Sequence, residues 1–216
     1  MKKIASPLFQ DLSEAELDTL AAAGHLRTRQ FAKHEVIFRA GSCVLEIGIV
    51  LRGSVHIENL DLWGTKSILS SVGAGQAFAE TYAFCGDALM VDAVAAEDCE
   101  VLFLHTGALS DSRVPAGVRG TLLHNLLTVS MRKNLSLSQR IFCTTPKTVR
   151  GRLLTYFSAQ AAKADSPEFE IPFNRQQMAD YLNLDRSALS KELGRMRDEG
   201  LLEFEKNHFI LKQLPE

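Results

Sequence analysis

The sequence predicts an α+β fold in which a strand-rich N-terminal part and a small C-terminal domain are joined by one long helix. Three observations carry this. Between Gly24 and Leu104 short apolar or alternating runs recur between glycines. From Pro115 to Ile141 a helix-period pattern runs with no glycine after Gly120 and no further proline. From Phe173 onward two short helices and two short apolar runs follow one another in the order of a helix-turn-helix with a trailing hairpin.

Taken in order, Ser13 and Glu16 form a capping-box pattern at the start of an amphipathic helix that ends at Gly24. Strands are expected at Val36–Phe38, Ile47–Leu51, Val55–Ile57, Ser67–Leu69, Met90–Val94 and Val101–Leu104, with Gly41, Gly53, Gly64, Gly73, Gly75 and Gly86 at the turns. Many short strands punctuated by glycine mean a sandwich, a barrel or a roll. In the long helix, Leu122, Leu126, Val129 and Lys133 lie on one stripe, and Leu123, Leu127, Ser130, Asn134, Leu137 and Ile141 on the next. So wide an apolar face exceeds what one partner needs, so one stripe is expected to pack on the strand domain and the other to form a dimer seam. Thr145 as a cap and Pro146 at the first position are expected to open the next helix, which buries Val149, Leu153, Leu154 and Phe157 and ends near Ala164. A short strand over Phe169–Phe173 follows.

Asn174 and Gln177 then cap a short helix with Met178, Ala179 and Leu182 on its apolar face. Asn183 tolerates the left-handed turn, and Asp185 caps a second helix that stops at Gly200. Leu189, Leu193 and Met196 give that helix a buried stripe, which leaves Arg186, Ser187, Ser190 and Lys191 at its exposed leading end. A helical hairpin inside a globular core would show the same two helices. The runs Leu201–Phe204 and Phe209–Leu211, joined through Glu205 to His208, make it a winged helix, whose second helix suits a major groove and whose wing suits phosphates.

A chain of 216 residues with net charge −2 has room for one large or two small cores. No run is long and apolar enough to span a bilayer, and the first residues lack a secretory signal, so no membrane contact and a cytoplasmic location are expected. Cys43, Cys85, Cys99 and Cys143 form no CxxC pair and are expected as packing residues, with a metal or cluster site the lesser alternative. From Thr144 onward eleven basic residues face eleven acidic ones, so any DNA affinity must come from local placement of charge. A cupin-like metalloenzyme would need a close HxH pair, and VHIEN around His56 supplies one histidine and then Glu58. No enzyme activity is expected.

The segments LSEAEL, KHEVIFRAG, IVLRGSVHI, GQAFAE, KTVRGRLLTYF and RQQMADYLNLDRSALSKELGRM stand in the order and spacing of one family. Over nearly its whole length the chain resembles the CRP/FNR superfamily of transcription regulators. The resemblance implies a double-stranded, jelly-roll-like β-roll over residues 1–114 that senses an effector. It implies a dimerisation helix over 115–143 and a winged helix-turn-helix that binds double-stranded DNA over 144–216. It also implies a homodimer, a small-molecule effector and, for an activator, contact with RNA polymerase. Arg175, Arg186, Ser187, Ser190, Lys191, Arg195 and Lys206 are the implied DNA-binding residues. Ser187 stands where many members present a glutamate to a cytosine amino group, which implies a relaxed or altered base preference there.

The seam candidates are Leu122, Leu123, Leu126, Leu127, Val129, Ser130 and Leu137, and the effector candidates are Phe78, Glu80, Thr81, Met90, Val91, Lys133 and Asn134. At the effector site the match departs from the family. Cyclic-nucleotide binders follow GxxFGE with an Arg-Ser pair for the phosphate, and here Met90 and Val91 occupy that place. The cysteine cluster of oxygen sensors is absent ahead of Cys43, and Ala79 and Thr81 replace the Cys and His of haem-type sensors. His34, His56, His105 and His124 are the remaining candidates for a haem or metal ligand. The resemblance therefore leaves the cofactor open and points to an effector other than a cyclic nucleotide, with a haem- or redox-responsive member of the same family as the alternative. A sensor that acts through protein contacts, with the winged helix as its interface, is the alternative of another class.

Overall fold

The computed structural model describes residues 4–60 and 66–212, so the expected turn at Gly64 lies outside the described residues. The chain forms two compact units, Met1–Arg132 and Lys133–Glu216.

In the first unit a capped helix, α1 (Glu14–Ala22), precedes eight strands: β1 (Leu26–Phe31), β2 (Val36–Phe38), β3 (Glu46–Arg52), β4 (Val55–Leu60), β5 (Lys66–Val72), β6 (Ala77–Phe78), β7 (Asp92–Ala95) and β8 (Cys99–His105). A short helix, α2 (Glu80–Cys85), stands between β6 and β7. The strands form two antiparallel four-stranded sheets, ordered β1-β8-β3-β6 and β2-β7-β4-β5. Alternation along β3 and β8 explains why both read as near-continuous apolar runs. Val50, Val101 and Phe103 face the second sheet, where they join Phe31, Phe78 and Ala95 in one core. Ile47, Ile49, Leu102 and Leu104 face the other way and pack with Leu17 and Leu20 of α1. This is the predicted α+β roll.

Four phenylalanines fill the space between the sheets: Phe38 lies 5.8 Å from Phe78 and 5.6 Å from Phe103, and Phe31 meets Phe103 edge-on at 6.1 Å. Gly48 is required beneath this cluster, because a Cβ there would sit 2.2 Å from the tip of the Phe78 ring.

The long helix α3 runs from Ala116 to Thr144, three residues beyond the expected end. Its Val118, Leu122 and Leu126 are buried in the outer core of the roll unit. Asn125 on the same face donates to the carbonyls of Leu8 at 3.1 Å and Gln10 at 2.7 Å, which ties the N-terminal segment to α3. Leu122 and Leu126 are therefore corrected from seam residues to core residues. The neighbouring stripe stays uncovered: Leu123, Leu127, Met131, Leu135, Leu137, Ile141 and Phe142 are all about half or more exposed.

In the second unit α4 spans Val149–Ala164. Its cap is Thr148, whose hydroxyl accepts from the Gly151 amide at 3.0 Å, and not Thr145. Thr145 instead closes α3, with amide and hydroxyl both donating to the Ile141 carbonyl. Leu154, expected inside, is exposed, and Tyr156 takes its place in the core. Then come β9 (Glu168–Glu170), α5 (Arg175–Leu182), α6 (Arg186–Asp198), β10 (Leu202–Glu205) and β11 (His208–Leu211). The last two strands form the predicted hairpin, and β9 adds a third strand on the β11 edge.

Candidate nucleic-acid interface and effector site

The helix-turn-helix is built as its residues require. Asn174 accepts from the Gln177 amide and the Gln177 side chain accepts from the Asn174 amide, both at 2.9 Å, which closes the capping box of α5. Asn183 takes the left-handed conformation at φ 53° and ends that helix. Asp185 caps α6 by accepting from the Ala188 amide at 2.9 Å. The Ser187 hydroxyl also donates to Asp185, and these bonds, the Ser187 one first, hold the Asp185 carboxyl below the usual range.

Leu189, Leu193 and Met196 are fully buried, and that fixes the opposite face of α6 outward. Arg186, Ser187, Ser190, Lys191 and Arg195 are all exposed on it. Lys206 stands exposed at the tip of the wing with φ 53°. Arg175 behaves differently from the other candidates. Its guanidinium lies 4.9 Å over the Phe204 ring and 5.2 Å over Phe209, and burial pulls its pKa down. It holds the wing against α5 through its ring faces.

Several residues that shape this interface carry no mark in the sequence. Arg150 of α4 bonds Glu192 at 2.6 Å and, through both terminal nitrogens, Glu199 at 2.7 and 2.8 Å, bracing α6 along its length. Arg140 of α3 donates to the carbonyls of Asp180 and Tyr181, each at 3.0 Å. Arg152 of α4 donates to those of Leu182 at 3.1 Å and Asn183 at 2.7 Å. Two guanidinium groups thus satisfy four successive carbonyls at the C-terminal end of α5, where a helix leaves its acceptors open and its dipole negative. Arginines reaching backbone atoms 30 to 41 residues away leave no local signal in the sequence.

On the roll, Phe78 is buried among the sheet phenylalanines and is corrected from an effector residue to a core residue. Glu80 is 5% exposed and begins α2, which follows Ala79 in the left-handed region at φ 62°. Thr81 is exposed, and Val91 is half-buried. Met90 lies outside β7, which starts two residues later than expected, and is 77% exposed. Arg113, a cation that follows β8 in the chain, is committed to Asp111, with contacts of 2.6 to 3.2 Å, and to the Ala23 carbonyl. Lys133 and Asn134 lie on the exposed stretch of α3 in the second unit. Cys99 and Cys143 are buried, and burial pushes their thiols up, as for inert packing groups. Cys43 and Cys85 are exposed, contrary to expectation. Among the described residues, no group of three or more His, Cys, Asp or Glu side chains is arranged to hold a metal ion, and no helix is long and apolar enough to cross a membrane.

A sensory roll followed by a helix-turn-helix and wing defines a DNA-binding regulator. Residues 28–111 match the cyclic nucleotide-binding domain family, and residues 151–216 match the Crp-like helix-turn-helix domain family. The cyclic AMP receptor protein of Thermus thermophilus is 25% identical over 199 residues, covering 91% of this chain and 88% of its own. Among solved structures, the T. thermophilus catabolite activator protein aligns at TM-score 0.50 and 23% identity, over 96% of this chain and 94% of its own. FixK2 from Bradyrhizobium japonicum aligns at 0.51 and 19%, over 87% and 93%, and CprK in complex with OCPA at 0.64 and 14%, over 92% and 89%. These neighbours share the fold. The chain belongs to the CRP/FNR superfamily of transcription regulators.

Proposed function

We propose that this protein acts as a homodimer on an inverted-repeat operator and that its roll responds to a small molecule other than a cyclic nucleotide. The observation that carries the DNA part is the face of α6, where Arg186, Ser187, Ser190, Lys191 and Arg195 point away from a fully buried Leu189, Leu193 and Met196. The uncovered stripe of α3 supports the dimer, with Leu123, Leu127, Val129, Ser130 and Leu137 at the seam. A twofold dimer of helix-turn-helix domains is expected to bind with its two recognition helices about 34 Å apart, one turn of DNA. In this reading residues 1–114 sense, 115–143 pair the subunits and 144–216 bind DNA, and an activator of this design also meets RNA polymerase. Selection from randomised duplexes, with sedimentation in parallel, tests it. An inverted repeat bound by a dimer is expected, and a monomer that binds tightly and specifically sinks the dimer.

The name of the T. thermophilus relative makes cyclic AMP the rival effector. A cyclic phosphate taken into a roll needs charge-assisted donors, of which a bidentate arginine is the strongest. Met90 offers none, and Arg113 is held by Asp111. Charged hydrogen bonds contribute about 1.5 to 3 kcal/mol each, so affinity is expected to lie at least roughly ten- to a hundredfold below that of an arginine-bearing site. Titration calorimetry with cyclic AMP and cyclic GMP, repeated on Met90→Arg, decides between the two. Micromolar binding by the unmodified protein overturns the proposal, and weak binding rescued by the arginine supports it. Thr81, exposed on α2, is then the roll group offered to a polar effector.

A further inference from the structure

We infer that Arg140 is a positioning residue for operator recognition: it fixes the angle between the dimer seam and the recognition helix, and so sets which half-site spacing the dimer accepts. The inference rests on the homodimer reading above and names the side chain through which the seam reaches the DNA-reading surface.

Arg140 stands on α3 within one turn of Leu137 and beside Ile141, both exposed on the uncovered stripe. Its guanidinium turns away from them to the end of α5, donating to the Asp180 and Tyr181 carbonyls at 3.0 Å with its centre 5.9 Å from the Tyr181 ring. The next residues are the left-handed Asn183 and the α6 cap Asp185, so four residues separate the gripped carbonyls from the start of the recognition helix. A planar fork on two successive carbonyls fixes direction as well as distance. Cys143 of α3 is also buried in this core, a small apolar contact that fixes no angle, and Arg152 of α4 holds the Pro146 carbonyl just beyond the end of α3 at 2.8 Å.

The domain does not need Arg140 to fold. Arg152 holds the next two carbonyls from α4. Tyr181 stays packed 5.6 Å from Tyr156 and 5.0 Å from Phe173. Met178, Leu182, Leu189 and Leu193 are buried in the same core. Losing Arg140 frees the helix-turn-helix to swivel on α3 while its own surface stays intact. For two linked heads, such freedom lowers the effective concentration of the second head at its half-site and leaves the first contact unchanged.

The test compares binding of Arg140→Ala and the unmodified protein to three kinds of duplex: one selected half-site, the full inverted repeat, and repeats with one base pair added or removed at the centre. Sedimentation monitors the dimer. Half-site affinity is expected to stay within about twofold, while full-site affinity falls about tenfold and the spacing preference flattens. Arg140→Lys, which keeps the charge but cannot fork, is expected to lie between and serves as the variant if the alanine form does not fold. Parallel loss on half and full sites, or an unchanged spacing optimum, overturns the inference and leaves the homodimer reading standing. An unmodified protein that binds half and full sites equally well overturns both.

Discussion

Ser187 offers the sharpest test of how this helix reads bases. A serine hydroxyl has one proton, and here that proton points at the Asp185 carboxylate, which can only accept. Towards a groove Ser187 therefore presents lone pairs alone, polarised by a carboxylate that its own bonds keep ionised. The bases that match are those with a major-groove amino group, cytosine through N4 and adenine through N6; guanine O6 and thymine O4 are acceptors and repel it. The expected preference is thus for either amino base over either carbonyl base at one position of each half-site. It is weaker and broader than a glutamate would impose. A neutral hydrogen bond contributes about 0.5 to 1.5 kcal/mol, or roughly two- to twelvefold. Ser187→Ala is expected to flatten that position by this amount and no other. Ser187→Glu replaces the acceptor by a charged one, worth about 1.5 to 3 kcal/mol, and is expected to narrow the preference to cytosine. The assay is a randomised-site selection followed by titration of four duplexes that differ only at the selected position. Enrichment of guanine or thymine there, or an unchanged preference in Ser187→Glu, refutes the reasoning.

Three further outcomes follow from the packing and the charges. Ala79 holds a left-handed conformation that costs an L-residue about 1 to 2 kcal/mol, against about 0.5 to 1 kcal/mol for the freedom of an unfolded glycine, so Ala79→Gly is expected to stabilise the roll by about 0.5 to 1 kcal/mol in denaturant melts. The Tyr156 hydroxyl is buried without a partner among the described residues, so Tyr156→Phe is expected to leave the second unit as stable or to raise its stability by about 1 kcal/mol, and a clear loss on calorimetry contradicts this. Arg113, through side chain and amide, and then His25 hold the Asp111 carboxyl well below the usual range. A depressed carboxyl gives stability that is full above its unfolded pKa and is lost as pH falls through the lower folded value. Acid melts of the unmodified protein are expected to fall more steeply below about pH 4 than those of Asp111→Asn, and superimposable acid limbs count against it.

The fold was legible wherever a residue acts on its neighbours. Ser13 with Glu16, Asn174 with Gln177, and Asp185 each cap the helix their spacing announces, because capping needs only an oxygen within reach of an amide two or three residues on. β1 was not legible. Its sequence LRTRQF carries two arginines and a glutamine, and all but its ends are exposed, so it lacks the apolar alternation that marks a strand. α2 is a six-residue helix, too short to show a period. Which stripe of α3 meets the roll could not be read from two stripes of equal hydrophobicity; burial of Asn125 between Leu122 and Leu126 decides it, through carbonyls more than a hundred residues away. The same holds for the interface. Arg186 and Lys191 lie on a helix whose buried face is periodic, whereas Arg140, Arg150 and Arg152 act on partners that only the tertiary fold brings near.

Equal numbers of acids and bases in the C-terminal domain do not make its reading surface neutral. Arg150 and Arg195 engage Glu192, Arg150 also takes Glu199, His208 takes Glu168 and Lys212 takes Glu203. Asp180 accepts from Gln176, and Asp185 is occupied with its own helix. Among the described residues, no carboxylate pairs with Arg186, Lys191 or Lys206. The forward charge of one domain is thus about three cations, which release few counterions and bind a single half-site weakly at physiological salt. In the homodimer proposed above, affinity for the full operator then comes from two such domains held at the correct separation. On that reading the seam, and Arg140 between the seam and α5, carry as much of the operator affinity as any base contact does.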